Sequence, residues 1–399
     1  MEQRTPIYLD ANATEPLRPE ARQAILEALD LVGNPSSVHA AGRAARALLE
    51  AARRTIAARF GASPSGLVFT SGGTEADALA IAALSPSRRI IIGATEHDAV
   101  RAADASAPQG ATLLPVDHHG TADLEALDRL LAEAPAFLCL MLANNETGTI
   151  QPIAEAARLC RRHGAILHVD AVQAAGRIPV DLETLGADSL ALSAHKLGGP
   201  KGAGALLLAP GRDVTAQLPG GGQERGRRGG TPALPAIAGF AAACTAHPHD
   251  LTPLRAAIET HATAQGARVL GGPQRLPNTA CLALPGLSAG TQLIALDLAG
   301  IQVSAGAACS SGKVASSHVL EAMGLGPLAS QAIRVSLPWN ATPAHVAAFA
   351  AAYATMTSRL SPSLRGRNGA GQGSTDPLSP WDAGGGRGWL TLAETPEHD

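Results

Sequence analysis

Three short segments carry residue types with complementary chemistry. Ser193-Ala194-His195-Lys196 follows the apolar run Ser189–Leu192 and precedes the glycine-rich stretch 198–202. A lysine just past a buried strand is partly desolvated, which disfavours its ammonium form and leaves an amine nucleophilic toward an aldehyde. Alone, the pattern also describes a surface lysine beside a turn, and Lys201 competes with it. The strand-end position favours Lys196. In His168-Val169-Asp170-Ala171-Val172-Gln173, strand alternation puts His168 and Asp170 on one face. Asp170 then sits at the carboxyl end, where ligands of parallel sheets collect. A buried carboxylate there needs a cationic partner; the other reading is an aspartate capping the next turn. Thr70-Ser71-Gly72-Gly73-Thr74-Glu75-Ala76 joins an apolar run to a helical segment. Free N–H groups at a helix start, with glycines allowing close approach, make an anion site. The segment is neither a Walker loop nor a GxGxxG fingerprint.

Together, an anion cradle, a strand-end carboxylate and a strand-end lysine offer a partner to each polar end of pyridoxal 5′-phosphate (PLP): phosphate, pyridinium nitrogen and aldehyde. Two further residues stand out. Cys309 lies in Ser304-Ala305-Gly306-Ala307-Ala308-Cys309-Ser310-Ser311-Gly312, a run with little to pack that favours a mobile loop. Such a loop suits a thiolate nucleophile that enters a site and carries a product away, although a generic loop cysteine is inert. Arg334, beside the strand-like Val335–Leu337, offers a bidentate fork for a carboxylate, or is a surface arginine.

The elements that must position these residues follow from hydropathy. Apolar runs at 67–69, 89–92, 112–115, 137–142, 165–169, 189–192 and 205–208 alternate with helix-like stretches at 74–84, 97–105, 121–133 and 152–163. That rhythm predicts repeated β–α units and a largely parallel sheet covered by helices. Amphipathic helices are expected at 18–31 and 40–60. Beyond about residue 245 the pattern changes to helices at 251–265, 290–299, 316–323 and 342–359, with short strands at 278–284, 301–303 and 332–337. The expected organisation is a large α/β domain over 15–248 and a smaller α+β domain built from 1–14 and 249–360, which carries the Cys309 loop. Residues 361–399 hold eight Gly and four Pro among scattered polar residues and read as a disordered tail, with Trp381 and Trp389 in it.

Composition narrows the function classes. The 399 residues include 31 Lys+Arg against 34 Asp+Glu, a formal charge of −3, which argues against a nucleic-acid partner. Hydrophobic residues reach 46% but aromatics only 3%, so the core must be built from Ala, Leu, Val and Ile. No apolar run approaches the ~20 residues needed to span a bilayer, and Met1–Asp10 lacks a secretory layout; the expectation is a soluble, cytoplasmic protein. The five cysteines (139, 160, 244, 281, 309) form no metal-ligand spacing, and all but Cys309 read as small core hydrophobes.

The order of these motifs resembles fold-type I PLP enzymes of the class V aminotransferase group, and more narrowly cysteine desulfurases of the NifS/IscS type. The resemblance runs from Tyr8-Leu9-Asp10-Ala11-Asn12-Ala13-Thr14 to about Leu360. It passes through Gly33-Asn34-Pro35-Ser36-Ser37, Thr95-Glu96-His97, Asn144-Asn145-Glu146-Thr147-Gly148 and Gly220-Gly221-Gly222-Gln223-Glu224-Arg225. It implies a large, mainly parallel sheet domain with a smaller α+β domain, and PLP as cofactor. Lys196 would hold PLP covalently, Asp170 would pair with its ring nitrogen, and Gln173 would meet its phenolic oxygen. His97 would stack on the ring and assist proton transfer. Gly73, Thr74, Ser193 and His195 would hold the phosphate, while Thr231 would reach the phosphate of a neighbouring subunit in a homodimer. Asn145 and Arg334 would hold the carboxylate of L-cysteine. Cys309 would take the sulfur as a persulfide, release L-alanine and pass sulfur to an iron–sulfur scaffold or other acceptor protein. The long spacing from Cys309 to Ser317-His318-Val319-Leu320 resembles group I enzymes.

Three departures accompany the resemblance: Ala194 where Gly is common, Val172 where Thr is frequent, and Pro338-Trp339-Asn340 in place of a glycine-containing stretch. Other readings are a selenocysteine lyase or another class V aminotransferase or lyase in which Cys309 is incidental, and a catalytically silent scaffold with the same fold. Arg225, Arg227 and Arg228 fit a dimer-interface loop better than a nucleic-acid contact, because no aromatic platform accompanies them.

Overall fold

A computed structural model of the chain describes residues 6–102, 110–306 and 316–360. Cys309 with its flanking residues and the 361–399 tail lie outside the described residues. Strand β1 (Ile7–Tyr8) is only two residues long and pairs in parallel with Ile301–Gln302. The seven apolar runs become the strands of one sheet: β2 (Leu67–Thr70), β3 (Arg89–Gly93), β4 (Thr112–Leu114), β5 (Ala136–Cys139), β6 (Ile166–Asp170), β7 (Ser189–Ser193) and β8 (Gly204–Leu208). Their spatial order is β2-β8-β7-β6-β5-β3-β4. Only β8 runs against the other six, being antiparallel to both β7 and β2. The run expected at 137–142 ends as a strand at Cys139. The chain then turns through Asn144 toward the site.

The sheet is buried on both faces, as a parallel sheet covered by helices requires. Val68, Ile90, Ile92, Phe137, Ile166, Ala191 and Leu206 pack on helix Gly73–Leu84. Leu67, Phe69, Ile91, Leu138, Leu167, Val169 and Leu190 join a core with helices Pro19–Leu29, Ala40–Arg59, Leu124–Glu133, Ile153–His163 and Leu234–Cys244. The last of these helices carries no amphipathic signature. Leu234, Ile237, Phe240, Ala241 and Cys244 are all buried, so it is apolar all round.

A second sheet of four short strands is antiparallel: β9 (Arg268–Leu270), β10 (Thr279–Ala283), β12 (Ser304–Ala305) and β13 (Ala332–Ser336), in the order β12-β13-β10-β9. Between β10 and β12 lies β11 (Ile301–Gln302), the partner of β1. A bridge from Asp10 to Ser336 links the start of the chain to the end of β13. Among the described residues no helix is long and apolar enough to cross a membrane.

Candidate active site

The carboxyl ends of β6 and β7 are adjacent, and they bring Asp170 and Ser193 to one edge of the sheet. After Ser193 the chain makes one 3-10 turn, Ala194–Lys196, so the lysine leaves the sheet at that same edge. Its Nζ donates to the carbonyls of Asn12 at 2.6 Å and Ala13 at 3.0 Å. Burial, with Arg334 and Arg177 adding positive charge nearby, brings the Lys196 pKa down from 10.5 to about 8. Asp170 accepts the Val172 amide at 2.8 Å. Burial first, then the carboxyl of Asp77, pushes Asp170 up to about 7, while His97 and His168 act in the opposite sense.

The glycine-rich turn meets these strand ends. Gly72 precedes helix Gly73–Leu84, and the Thr70 hydroxyl donates to its carbonyl at 2.9 Å. A Cβ on Gly73 would sit 2.6 Å from Val172 Cγ2 and 3.6 Å from Ser193 Cβ, so no larger residue fits without displacing Val172. The Val172 departure therefore forms one wall of the cradle. Thr74 is exposed on the first helical turn. His195 lies 3.2 Å from the Thr14 hydroxyl through Nδ1, and burial together with Lys196 and Lys201 brings its pKa down to about 4.

Asn12 ties the elements together. Its carbonyl accepts from Lys196 and from Gln173 Nε2 at 3.0 Å. Its amide side chain donates to the Asn145 carbonyl and to Thr279 Oγ1, both at 3.0 Å, and accepts from Asn278 at 3.1 Å. Buried Arg177 donates to the side-chain oxygen of Gln173, to the carbonyl of Ala11 and to Glu15. Arg334, only 5% exposed, projects from β13 and donates to the Asn145 carbonyl at 3.0 Å and to Asp10 Oδ1 at 2.6 Å. Its Nε is buried and has no hydrogen-bond partner.

Other expected site residues lie at or outside this cluster. His97 is exposed and caps helix Asp98–Arg101, its Nδ1 accepting the Ala99 amide at 3.1 Å. It is near enough to Asp170 to affect that group's titration. Thr231 is exposed between the 3-10 turn Gln223–Gly226 and helix Leu234–Cys244. Cys309 is outside the described residues, but both flanks of its segment reach Glu146. A Cβ on Gly306 would overlap Glu146 Oε2, and the Ser317 hydroxyl donates to that oxygen at 2.5 Å.

Sequence reasoning did not single out the roles of Asn12, Asp77, Arg177 or Glu146. Of these, only Asn12 and Glu146 sat in quoted motifs. The Pro338-Trp339-Asn340 departure is explained locally: the Trp339 indole donates to the Pro16 carbonyl at 2.9 Å and Arg18 lies over its ring at 4.9 Å. Ala194 is fully buried, against Gly199. Arg227 and Arg228 are engaged within the chain: Arg228 pairs with Glu75 at 2.8 Å, and Arg227 donates to the Ser65 carbonyl at 2.8 Å.

The sequence model of the aminotransferase class-V family matches residues 7–349. The chain belongs to that family. A cysteine desulfurase of Cereibacter sphaeroides is 45% identical over 358 residues, covering 85% of this chain and 92% of the relative. Cysteine desulfurase NifS of Azotobacter vinelandii is 40% identical, covering 79% of this chain and 84% of its own. A solved NifS-like protein from Rickettsia africae superposes with a TM-score of 0.81 at 33% identity, over 88% of this chain and 99% of that one.

Family members are PLP-dependent. The residues present fit that cofactor. The cradle at Gly72-Gly73 has no room for a side chain where a phosphate must approach. A buried carboxylate, Asp170, stands at the sheet edge without an arginine or lysine ion pair among the described residues. An amine whose pKa is lowered to about 8 lies on the turn after the next strand.

Proposed function

We propose that this chain is a PLP-dependent cysteine desulfurase, which converts L-cysteine to L-alanine and delivers the sulfur as a persulfide on Cys309 to an acceptor protein. The convergence of Lys196, Asp170 and the Gly72-Gly73 cradle on one sheet edge, with Arg334 and both flanks of the Cys309 segment beside it, carries this reading. Bound there, PLP supplies an aldehyde for the substrate amine and an electron sink for the charge left when the substrate Cα loses its proton. Gly73, Thr74, Ser193 and His195 would hold the phosphate, Asp170 the ring nitrogen and Gln173 the phenolic oxygen, with His97 at the ring.

Lys196 would hold the cofactor's aldehyde at rest, and its amine, titrating near 8, is suited both to take the substrate Cα proton and to give a proton back. The substrate carboxylate is held by Arg334, whose Nε is without a partner, beside Asn145. The Cys309 thiolate attacks the substrate sulfur: the S–S bond forms, the Cβ–S bond breaks, and its electron pair ends as a C–H bond in alanine after protonation. Residues 15–248 form the cofactor-binding part, and 1–14 with 249–360 the part that brings Cys309 to it. Thr231, exposed on a loop, completes the phosphate site of a second copy in a homodimer. Four buried, unpaired cysteines favour a reducing, cytoplasmic compartment.

The test is to supply PLP-loaded protein with L-cysteine and a thiol reductant and to quantify alanine and sulfide. Equal amounts of both, abolished in Cys309→Ser, are expected. Undiminished turnover in Cys309→Ser would replace this reading with direct elimination, and a loaded protein forming neither product would end it.

A further inference from the structure

Behind Asp170 lies a second layer of ionisable groups that the desulfurase steps do not use. His168 is two residues earlier on the same face of β6 and is fully buried. Its Nδ1 is 2.8 Å from the Ser189 hydroxyl on β7, and its Nε2 is 3.1 Å from Asp77 Oδ1. Asp77 belongs to helix Gly73–Leu84, one turn in from the phosphate cradle, and is 1% exposed. Among the described residues its only ion-pair partner is His168. Glu96, after β3, faces the same space: one oxygen accepts the Met141 amide at 2.8 Å and the other is buried without a partner. The buried thiol of Cys139, at the end of β5, faces it too.

Asp77 thus raises the cost of ionising Asp170 and Glu96, and Asp170 adds to that of Glu96. Like charges that sense one another in a dry interior disfavour each other's ionised form. Hydrogen bonding decides which one ionises. The Asp77–His168 contact can carry a proton on either side, because in both states Nδ1–H donates to the Ser189 hydroxyl and stays satisfied.

We propose that Asp77 and His168 are positioning residues that share one proton as a net-neutral pair, leaving Asp170 as the carboxylate that presents negative charge to the cofactor nitrogen. The inference rests on the assignment of Asp170 to that nitrogen. Burial acts in the same sense, pushing Asp77 up to about 8 and His168 down to about 4. Loss of the shared proton places a second negative charge beside Asp170, and the cofactor's visible band registers it.

The experiment is a pH titration of the visible absorption of the PLP-loaded protein. The Lys196 linkage gives one step, and loss of the pair's proton adds a second in the wild type. Asp77→Asn is expected to retain the cofactor and lose the second step. His168→Gln, which removes the base, is expected to move that step to higher pH. A single-step wild type, a folded Asp77→Asn protein that keeps both steps, or one that no longer holds the cofactor would overturn the proposal. Asp170→Asn separates the two claims: it is expected to weaken cofactor retention at least tenfold, and normal retention would overturn the Asp170 assignment whatever Asp77 does.

Discussion

Lys196 must be uncharged to capture the cofactor aldehyde, and its surroundings set how often it is. Burial and the nearby Arg334 and Arg177 bring its pKa from 10.5 to about 8. At pH 7 the neutral fraction is then about one in ten, rather than about one in three thousand, a gain of about 300-fold. The rate at which apo protein captures PLP, followed by the growth of its visible band, is therefore expected to rise about tenfold per pH unit below 8 and to level off above it. Arg334→Gln removes the first-named of the two cations and is expected to move that plateau to higher pH. A rate that keeps climbing tenfold per unit beyond pH 9.5 would show an ordinary lysine and refute the desolvation argument. The same asymmetry has a stability consequence. The folded state releases this proton near 8 and the unfolded state only near 10.5, so the contribution of Lys196 to apo-protein stability improves as pH rises through that window.

Three further outcomes follow from particular contacts. The buried Arg53–Glu224 pair is bidentate, at 2.7 and 2.9 Å, and Glu224 also accepts the Phe69 amide; Glu224→Gln is expected to cost about 1–3 kcal/mol in a denaturant titration, less than a fully unpaired charge would, because Glu50 still pairs with Arg53 Nε at 3.1 Å. Gly73→Ala places its methyl against Val172 Cγ2, so cofactor affinity should fall in equilibrium dialysis and recover in part when Val172→Ala is added. Arg334→Lys keeps the charge but loses the fork, and is expected to raise KM for L-cysteine at least tenfold in steady-state assays.

Much of the architecture was legible because it is periodic. Each of the seven apolar runs is a strand of the main sheet, and Lys196, Asp170 and the Gly72-Gly73 turn were readable as strand-end and helix-start residues. Helix Leu234–Cys244 was missed because a helix buried on all sides has no polar face to set a 3.6-residue period. Strands β1, β9 and β12, of two or three residues, are too short to show alternation. In the site, the hub role of Asn12 depends on partners at 145, 173, 196, 278 and 279, and Asp77 meets His168 across 91 positions. Such pairings are products of the fold, and no local spacing announces them. The engagement of Arg334 by Asp10 likewise appears only once Asp10 bridges to the end of β13.

The most direct test of the central claim is mass spectrometry of the Cys309 peptide after brief exposure of the PLP-loaded protein to L-cysteine without reductant. The account predicts a gain of one sulfur atom on Cys309, matched by one alanine per active site and reversed by adding a thiol. An unmodified Cys309 peptide alongside released alanine would contradict it.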